Sequence, residues 1–196
     1  MIYDRVTRWL HGGLVLMTTV QLTTSQFMEL PDPEGIVPVI KVALFRLHRL
    51  SGITVLTLLA LHWIWGLAGH AAGGWGNLFP WFSRERRGNV ISDLKSMPSL
   101  LRGALPGQNY RGTAIAGAVH GLGLLTATGM GLTGSILFFG IKSDGTMNAS
   151  ASPVVEIHQF IANFLWAFIV GHVGMAILHQ WQGDKVLTRM FNLAQK

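Results

Sequence analysis

The stretch that decides the fold is Glu156–Gln180, EIHQFIANFLWAFIVGHVGMAILHQ, which is almost wholly apolar yet holds His158 and His172 fourteen residues apart. At about 100° and 1.5 Å per residue, fourteen residues return to nearly the same helix face roughly 21 Å further along. A segment this long and apolar reads as membrane-buried. Two imidazoles on one face, near opposite ends of a span, therefore mark two stacked sites.

Working outward, apolar stretches of spanning length run over Trp9–Met28, Leu44–Ala68, Ile115–Leu137 and Ile157–Leu178. The composition agrees: 49% of residues are apolar and only 12% are charged, where soluble domains carry about a quarter. The expectation is an all-α membrane protein, one domain over 1–196 built as a four-transmembrane-helix bundle. The first stretch is too long for the apolar region of a signal peptide and lacks a clear small-x-small cleavage site, so it reads as a retained helix.

The formal charge of +6 is distributed by topology. With an inside N-terminus, the inner segments hold Arg5, Arg8, Arg84, Arg86, Arg87, Lys95, Arg102, Arg111, Lys185, Arg189 and Lys196. The outer segments hold only Lys41, Arg46, Arg49 and Lys142, beside Glu29, Asp32, Glu34, Asp144 and Glu156. The lysine and arginine bias puts both termini in the cytoplasm. The basic character suits anionic lipid headgroups, and no nucleic-acid-binding motif is present. The chain has no cysteine, which excludes disulfides, thiolate-held iron–sulfur clusters and covalently attached haem.

The first outer loop, ELPDPEG, breaks any helix with two prolines. The second is FGIKSDGTMNASASP. The inner connection, about 69–112, opens with the glycine-rich, aromatic AGGWGNLFPWF, continues through SRERRGN, and reaches VISDLKSMPSLL. The last segment fits a short interfacial helix interrupted at Pro98, but a solvated basic loop with aromatic anchors is the simpler expectation. Glycines within the spans suit close helix packing, as in Gly117-xxx-Gly121. Those beside His11, His48 and His172 also leave room for a flat macrocycle.

Membrane depth sorts the histidines. His48 and His158 open their helices at the outer face, while His11, His62, His120 and His172 lie near the inner face. Intramembrane ionisable groups are costly and usually face the bundle interior in a functional role. A lone one could be an interhelical hydrogen-bond donor; five or six in two layers favour a cofactor. Zinc or copper would want three or four close ligands. Two imidazoles from facing helices suit an iron porphyrin, whose ring supplies the equatorial nitrogens. Depth pairs His48 with His158 and leaves the inner pair open, since His62 also follows His48 by fourteen residues.

These residues resemble the prokaryotic cytochrome b561 group of membrane di-haem b cytochromes, which is related to the cytochrome b subunits of hydrogenases and other dehydrogenases. TRWLHGGLV is similar to the family's Arg-x-x-His opening of helix 1, and LHRLSGI to its Leu-His-x-x-x-Gly start of helix 2. Glu156–Gln180 resembles its paired-histidine last span, followed by GDKVLTRM. WIWGLAGHAAGGWGNLFPW and LPGQNYRGTAIAG are similar to members that partner dehydrogenases or c-type cytochromes. The resemblance implies two haem b groups, with His11 and His172 as axial ligands of the inner iron and His48 and His158 of the outer. His62 stands where the family more often has arginine, and is expected as a propionate partner or substitute ligand. Arg8, Arg46, Arg49 and Lys185 are further propionate candidates, with snorkelling to headgroups as the plain alternative. His120 is expected to support a ligand or to pack, and His70 and His179 to lie at interfacial helix ends.

Two redox centres stacked across a bilayer would pass single electrons between a quinone and a dehydrogenase or c-type cytochrome partner. The expected location is a bacterial inner (plasma) membrane. Two alternatives accompany this reading. One is a superoxide oxidase passing electrons to quinone, which would need an electropositive outer mouth built from Lys41, Arg46, Arg49 and Lys142. The other is a non-haem metal-binding or structural bundle.

Overall fold

The computed structural model describes residues 4–32, 34–70, 74–101, 114–183 and 185–191. The described elements are helical: α1 (Arg5–Phe27), α2 (Val39–Trp65) closing in a π-turn (Gly66–His70), α3 (Trp75–Leu78), a 3-10 turn (Pro80–Phe82), α4 (Arg84–Leu101), α5 (Ala114–Gly140), α6 (Ser152–Trp181) and α7 (Val186–Phe191). No strand occurs among the described residues beyond an isolated bridge between Ile141 and Met147.

Local chemistry explains the helix starts. Asp4 caps α1: its carboxylate accepts the Thr7 N–H at 2.9 Å and the Thr7 hydroxyl at 2.6 Å, which satisfies one of the orphan donors of the first turn. Pro38 precedes α2, and its carbonyl accepts the Lys41 and Val42 N–H groups at 2.9 and 3.3 Å. The Ile115 N–H at the start of α5 donates to Asp93 of α4 at 3.1 Å. That places a carboxylate at the positive end of the helix. Gly69, with φ of 94°, kinks the π-turn from within, in a conformation that costs other residues strain.

The apolar windows mark hydrocarbon rather than helix ends, so α2 begins at Val39 instead of Leu44 and α6 at Ser152 instead of Ile157. Among the described residues, three helical segments are long and apolar enough to cross a membrane: Val39–His70, Ala114–Gly140 and Ser152–Trp181. At 23 residues α1 has the length, but Thr18, Thr19, Gln21, Thr23, Thr24, Ser25 and Gln26 dilute its second half. The inner connection corrects the expectation of a solvated loop. The basic stretch itself is helical, and α4 continues through Pro98. Ser83 starts it, accepting the Arg87 N–H on its carbonyl at 3.0 Å, and Glu85 sits in the first turn. Arg102, Arg111 and Lys196, counted among the inner basic residues, and most of LPGQNYRGTAIAG lie outside the described residues.

The chain forms two compact units, one of Met1–Arg8, Trp63–Leu125 and Trp166–Lys196, the other of Trp9–His62 and Thr126–Leu165. In the second unit, contact positions rise on one helix as they fall on its neighbour, so consecutive helices run antiparallel. Leu58 of α2 abuts Gly13 of α1, while His48 meets Thr24. On α5, Gly131 lies against Leu56 and Leu59, and the Phe138 carbonyl accepts from Arg49. On α6, Ile161 faces Gly129 and His158 faces Thr133.

In the first unit, the short α3 lies against α5. A Cβ at Gly117 would overlap the Asn77 carbonyl oxygen, and one at Gly121 would overlap that of Leu78. The Gly117-xxx-Gly121 pair, expected to seat a spanning helix, instead admits the backbone of the connection. Trp63, Trp75 and Phe79 stack beside it, with ring centroids 5.5 to 6.2 Å apart and planes within 12°.

Candidate functional site

The second unit brings His48 and His158 within electrostatic reach of each other. Both are half-buried. Each presents Nδ1 to a threonine on the preceding long helix: Thr24 Oγ1 lies 3.0 Å from His48 Nδ1, and Thr133 Oγ1 lies 2.7 Å from His158 Nδ1.

Proton accounting fixes the direction of both bonds. A hydroxyl has one hydrogen and two lone pairs. The Thr24 hydroxyl lies 2.8 Å from the Val20 carbonyl, and the Thr133 hydroxyl 2.8 Å from that of Gly129. When its hydrogen is spent on its own helix, each threonine accepts from the imidazole. The carbonyl of Gln21, 3.2 Å from His48 Nδ1, demands the same proton. In this arrangement a neutral ring is the Nδ1–H tautomer, which keeps the Nε2 lone pair free. Ligating histidines are usually held in this way by a bond to the other ring nitrogen.

Gln21 completes the frame. Its amide donates to the His48 carbonyl at 2.5 Å and to Ser51 Oγ at 2.6 Å. Gly52, read from sequence as room for a macrocycle, instead admits this amide, 3.5 Å from where a Cβ would stand. Gly134 leaves space beside the ring of His158, whose Cε1 would be 3.4 Å from a Cβ there. Gly12, Gly171 and Gly174 face open space: a Cβ at any of the three would meet nothing within 4 Å.

Arg49 is half-buried between two rings, its guanidinium carbon 5.6 Å from the Phe45 centroid and 4.7 Å from that of Phe138. One terminal nitrogen donates to the Phe138 carbonyl at 2.6 Å. Its Nε is buried with no hydrogen-bond partner among the described residues. Arg46 is exposed. Arg8, expected at the inner headgroup level, is buried at 3% exposure, and its Nε reaches the Asp4 carbonyl at 3.5 Å. Lys185 is exposed.

The inner candidates divide between the units. His11 and His62 belong to the second, both half-buried, and His62 Nδ1 has no partner among the described residues. His172 and His120 belong to the first, where their rings meet edge to face at 4.9 Å. His120 donates Nδ1–H to the Ala116 carbonyl at 2.6 Å, and Phe168 stacks on His172 at 5.3 Å and 19°. Gly123 makes room for that phenyl ring, since a Cβ there would overlap it. His70 is exposed and stacks on Trp65 at 3.8 Å. His179 is half-buried near the end of α6.

The loops before α2 and before α6, with the first turn of α2, hold an ion pair and two carboxylates stabilised by hydrogen bonds. Lys41 is paired with Glu29. The N–H groups of Val37 and Ile36 hold the Asp32 carboxyl below its ordinary range, and the Thr146 hydroxyl and N–H do the same for Asp144. Both carboxylates remain ionised wherever the loops face neutral water.

The donor set of the second unit fits a haem: two neutral imidazoles with Nε2 lone pairs, a glycine beside one ring and an arginine Nε without a partner. Sequence reasoning missed Thr24, Thr133 and Gln21: Gln21 and Thr24 stand among the many polar residues of α1, and Thr133 is one of several threonines in a glycine-rich span. No curated protein and no solved structure matches the chain. The family model described as prokaryotic cytochrome b561 matches residues 2–193 of 196, so the chain belongs to that family of membrane proteins, which bind haem b and transfer electrons.

Proposed function

We propose that the protein moves single electrons across a bacterial inner membrane between two b haems, exchanging them between a quinone and a dehydrogenase or c-type cytochrome. His48 and His158 would ligate the outer iron, and His11 and His172 the inner. The observation that carries this reading is the pair of threonine hydroxyls, 3.0 and 2.7 Å from the Nδ1 atoms of His48 and His158 within one unit, an arrangement that suits Nε2 ligation by both rings. The inner assignment rests on the family resemblance and on the fourteen-residue interval between His158 and His172.

Haem, when bound, supplies the one-electron chemistry. The chain's own residues do the rest. His48 and His158 would offer Nε2 to the iron, Thr133 contacts one ring and Thr24 with the Gln21 carbonyl the other, and the Arg49 Nε, without a partner among the described residues, suits a propionate. The apolar spans limit water, so little solvent need rearrange as charge arrives.

The superoxide alternative needs a positive outer mouth, and the loops favour it less. Lys41 is neutralised by Glu29, Arg49 is turned to the Phe138 carbonyl, and Asp32 and Asp144 stay charged. The test is anaerobic: chemically reduced purified protein is mixed with a water-soluble quinone while the b-type bands are followed. The proposal expects both haems to be oxidised by quinone. Bands that stay reduced would refute quinone exchange, and rapid quinone reduction driven by superoxide would favour the alternative.

A further inference from the structure

The two threonine contacts look equivalent, but they are not. His48 Nδ1–H has two acceptors, Thr24 Oγ1 at 3.0 Å and the Gln21 carbonyl at 3.2 Å. Among the described residues, His158 Nδ1–H has Thr133 Oγ1 alone, at the shorter 2.7 Å. The Thr133 hydroxyl is itself fixed, within reach of the Gly129 carbonyl at 2.8 Å and the Met130 carbonyl at 3.2 Å. With its hydrogen on either carbonyl, the Thr133 oxygen keeps a lone pair for the ring N–H. Gly134, next in sequence, lies beside the ring, whose Cε1 would be 3.4 Å from a Cβ there.

We infer that Thr133 is a positioning residue that sets the orientation and donor strength of His158, and through it the reduction potential of the outer haem; at His48 the Gln21 carbonyl shares the corresponding role with Thr24. The inference rests on His48 and His158 being the outer ligands. An acceptor on Nδ1–H pushes electron density towards Nε2 and makes the imidazole a more basic ligand. A more basic ligand favours the oxidised iron and lowers the potential. Removing the acceptor raises it, and strands a buried N–H. At His48 the backbone carbonyl remains when the hydroxyl is gone, so the ligand keeps its tautomer and most of its basicity.

The experiment is a potentiometric titration of full-length purified protein, with haem content measured in parallel, for Thr133→Val, Thr133→Ser, Thr24→Val and His158→Ala. Valine keeps the shape of threonine and removes the hydroxyl; serine keeps the hydroxyl. In Thr133→Val, one of the two midpoints should rise by about tenfold in the reduction equilibrium constant, or about 59 mV for one electron. Thr133→Ser should stay near the wild-type value, and Thr24→Val should move less than about threefold, or about 28 mV on the same scale. Should Thr133→Val instead lose one haem while Thr133→Ser keeps both, the positioning role also stands. Two haems with unchanged midpoints in Thr133→Val overturn it. So does loss of haem in both Thr133 variants, or a Thr24→Val shift as large as that of Thr133→Val. Retention of both haems by His158→Ala would instead overturn the ligand assignment beneath the inference, a distinct outcome.

Discussion

At the scale of single residues, what matters is where each proton goes. The sequence made His48 and His158 legible because a titratable ring in hydrocarbon is costly and therefore conspicuous. Thr24 and Thr133 were not legible, because threonine in a span usually bonds its own helix. Both do so here, and only the neighbouring helix reveals the second bond. The inner candidates show the same limit. A fourteen-residue interval fits His62 and His172 alike and does not choose between His11 and His62.

Asp4 supplies a prediction at this scale. Partial burial would raise its carboxyl, but the Thr7 hydroxyl and N–H outweigh that and hold it below its ordinary value. A depressed carboxylate stabilises the fold above its unfolded value, and that stabilisation is lost as pH falls through the folded one. Asp4→Ala should cost about 1 kcal/mol near neutral pH. The gap from wild type should close as pH drops below about 4, measured by thermal unfolding across pH. A gap that persists into acid would rule out the carboxylate as its cause.

Among the elements, the long helices were readable from apolar runs alone, and their ends were not, because amphipathic turns extend beyond the hydrocarbon. The inner connection was the hardest to read. SRERRGN has no apolar period, and Pro98 argues against a helix, yet α4 covers both, and its Asp93 carboxylate accepts the Ile115 N–H of α5. Tertiary contact outweighs local preference there.

The glycine pair of α5 is a clear case of right residues and unforeseen partner. Small side chains permit close approach, but only the fold shows that α3 makes it. Gly121→Ala should force the Leu78 carbonyl away and destabilise the protein by about 1–3 kcal/mol. Gly88→Ala, which meets nothing within 4 Å, should be neutral or gain up to about 1 kcal/mol from helix propensity. Equal melting temperatures for wild type and Gly121→Ala would show that the α3 contact contributes nothing.

For the whole molecule, the lysine and arginine bias predicts both termini inside, with three apolar helices and the more polar α1 crossing the bilayer. The cysteine-free chain suits a direct test, since single cysteines can be introduced without competing thiols. In intact cells, a membrane-impermeant maleimide should label Asp32→Cys and Lys142→Cys but not Arg87→Cys or Lys185→Cys. Labelling of the second pair would invert the topology, and with it the assignment of outer and inner haem. The central claim is that His48 and His158 hold one of two b haems. It is tested most directly by counting haem per chain in purified wild type, His48→Ala and His158→Ala, expressed with ample porphyrin. The account predicts two, one and one, with the same spectral component missing from both variants; two haems in either variant, or none in the wild type, would contradict it.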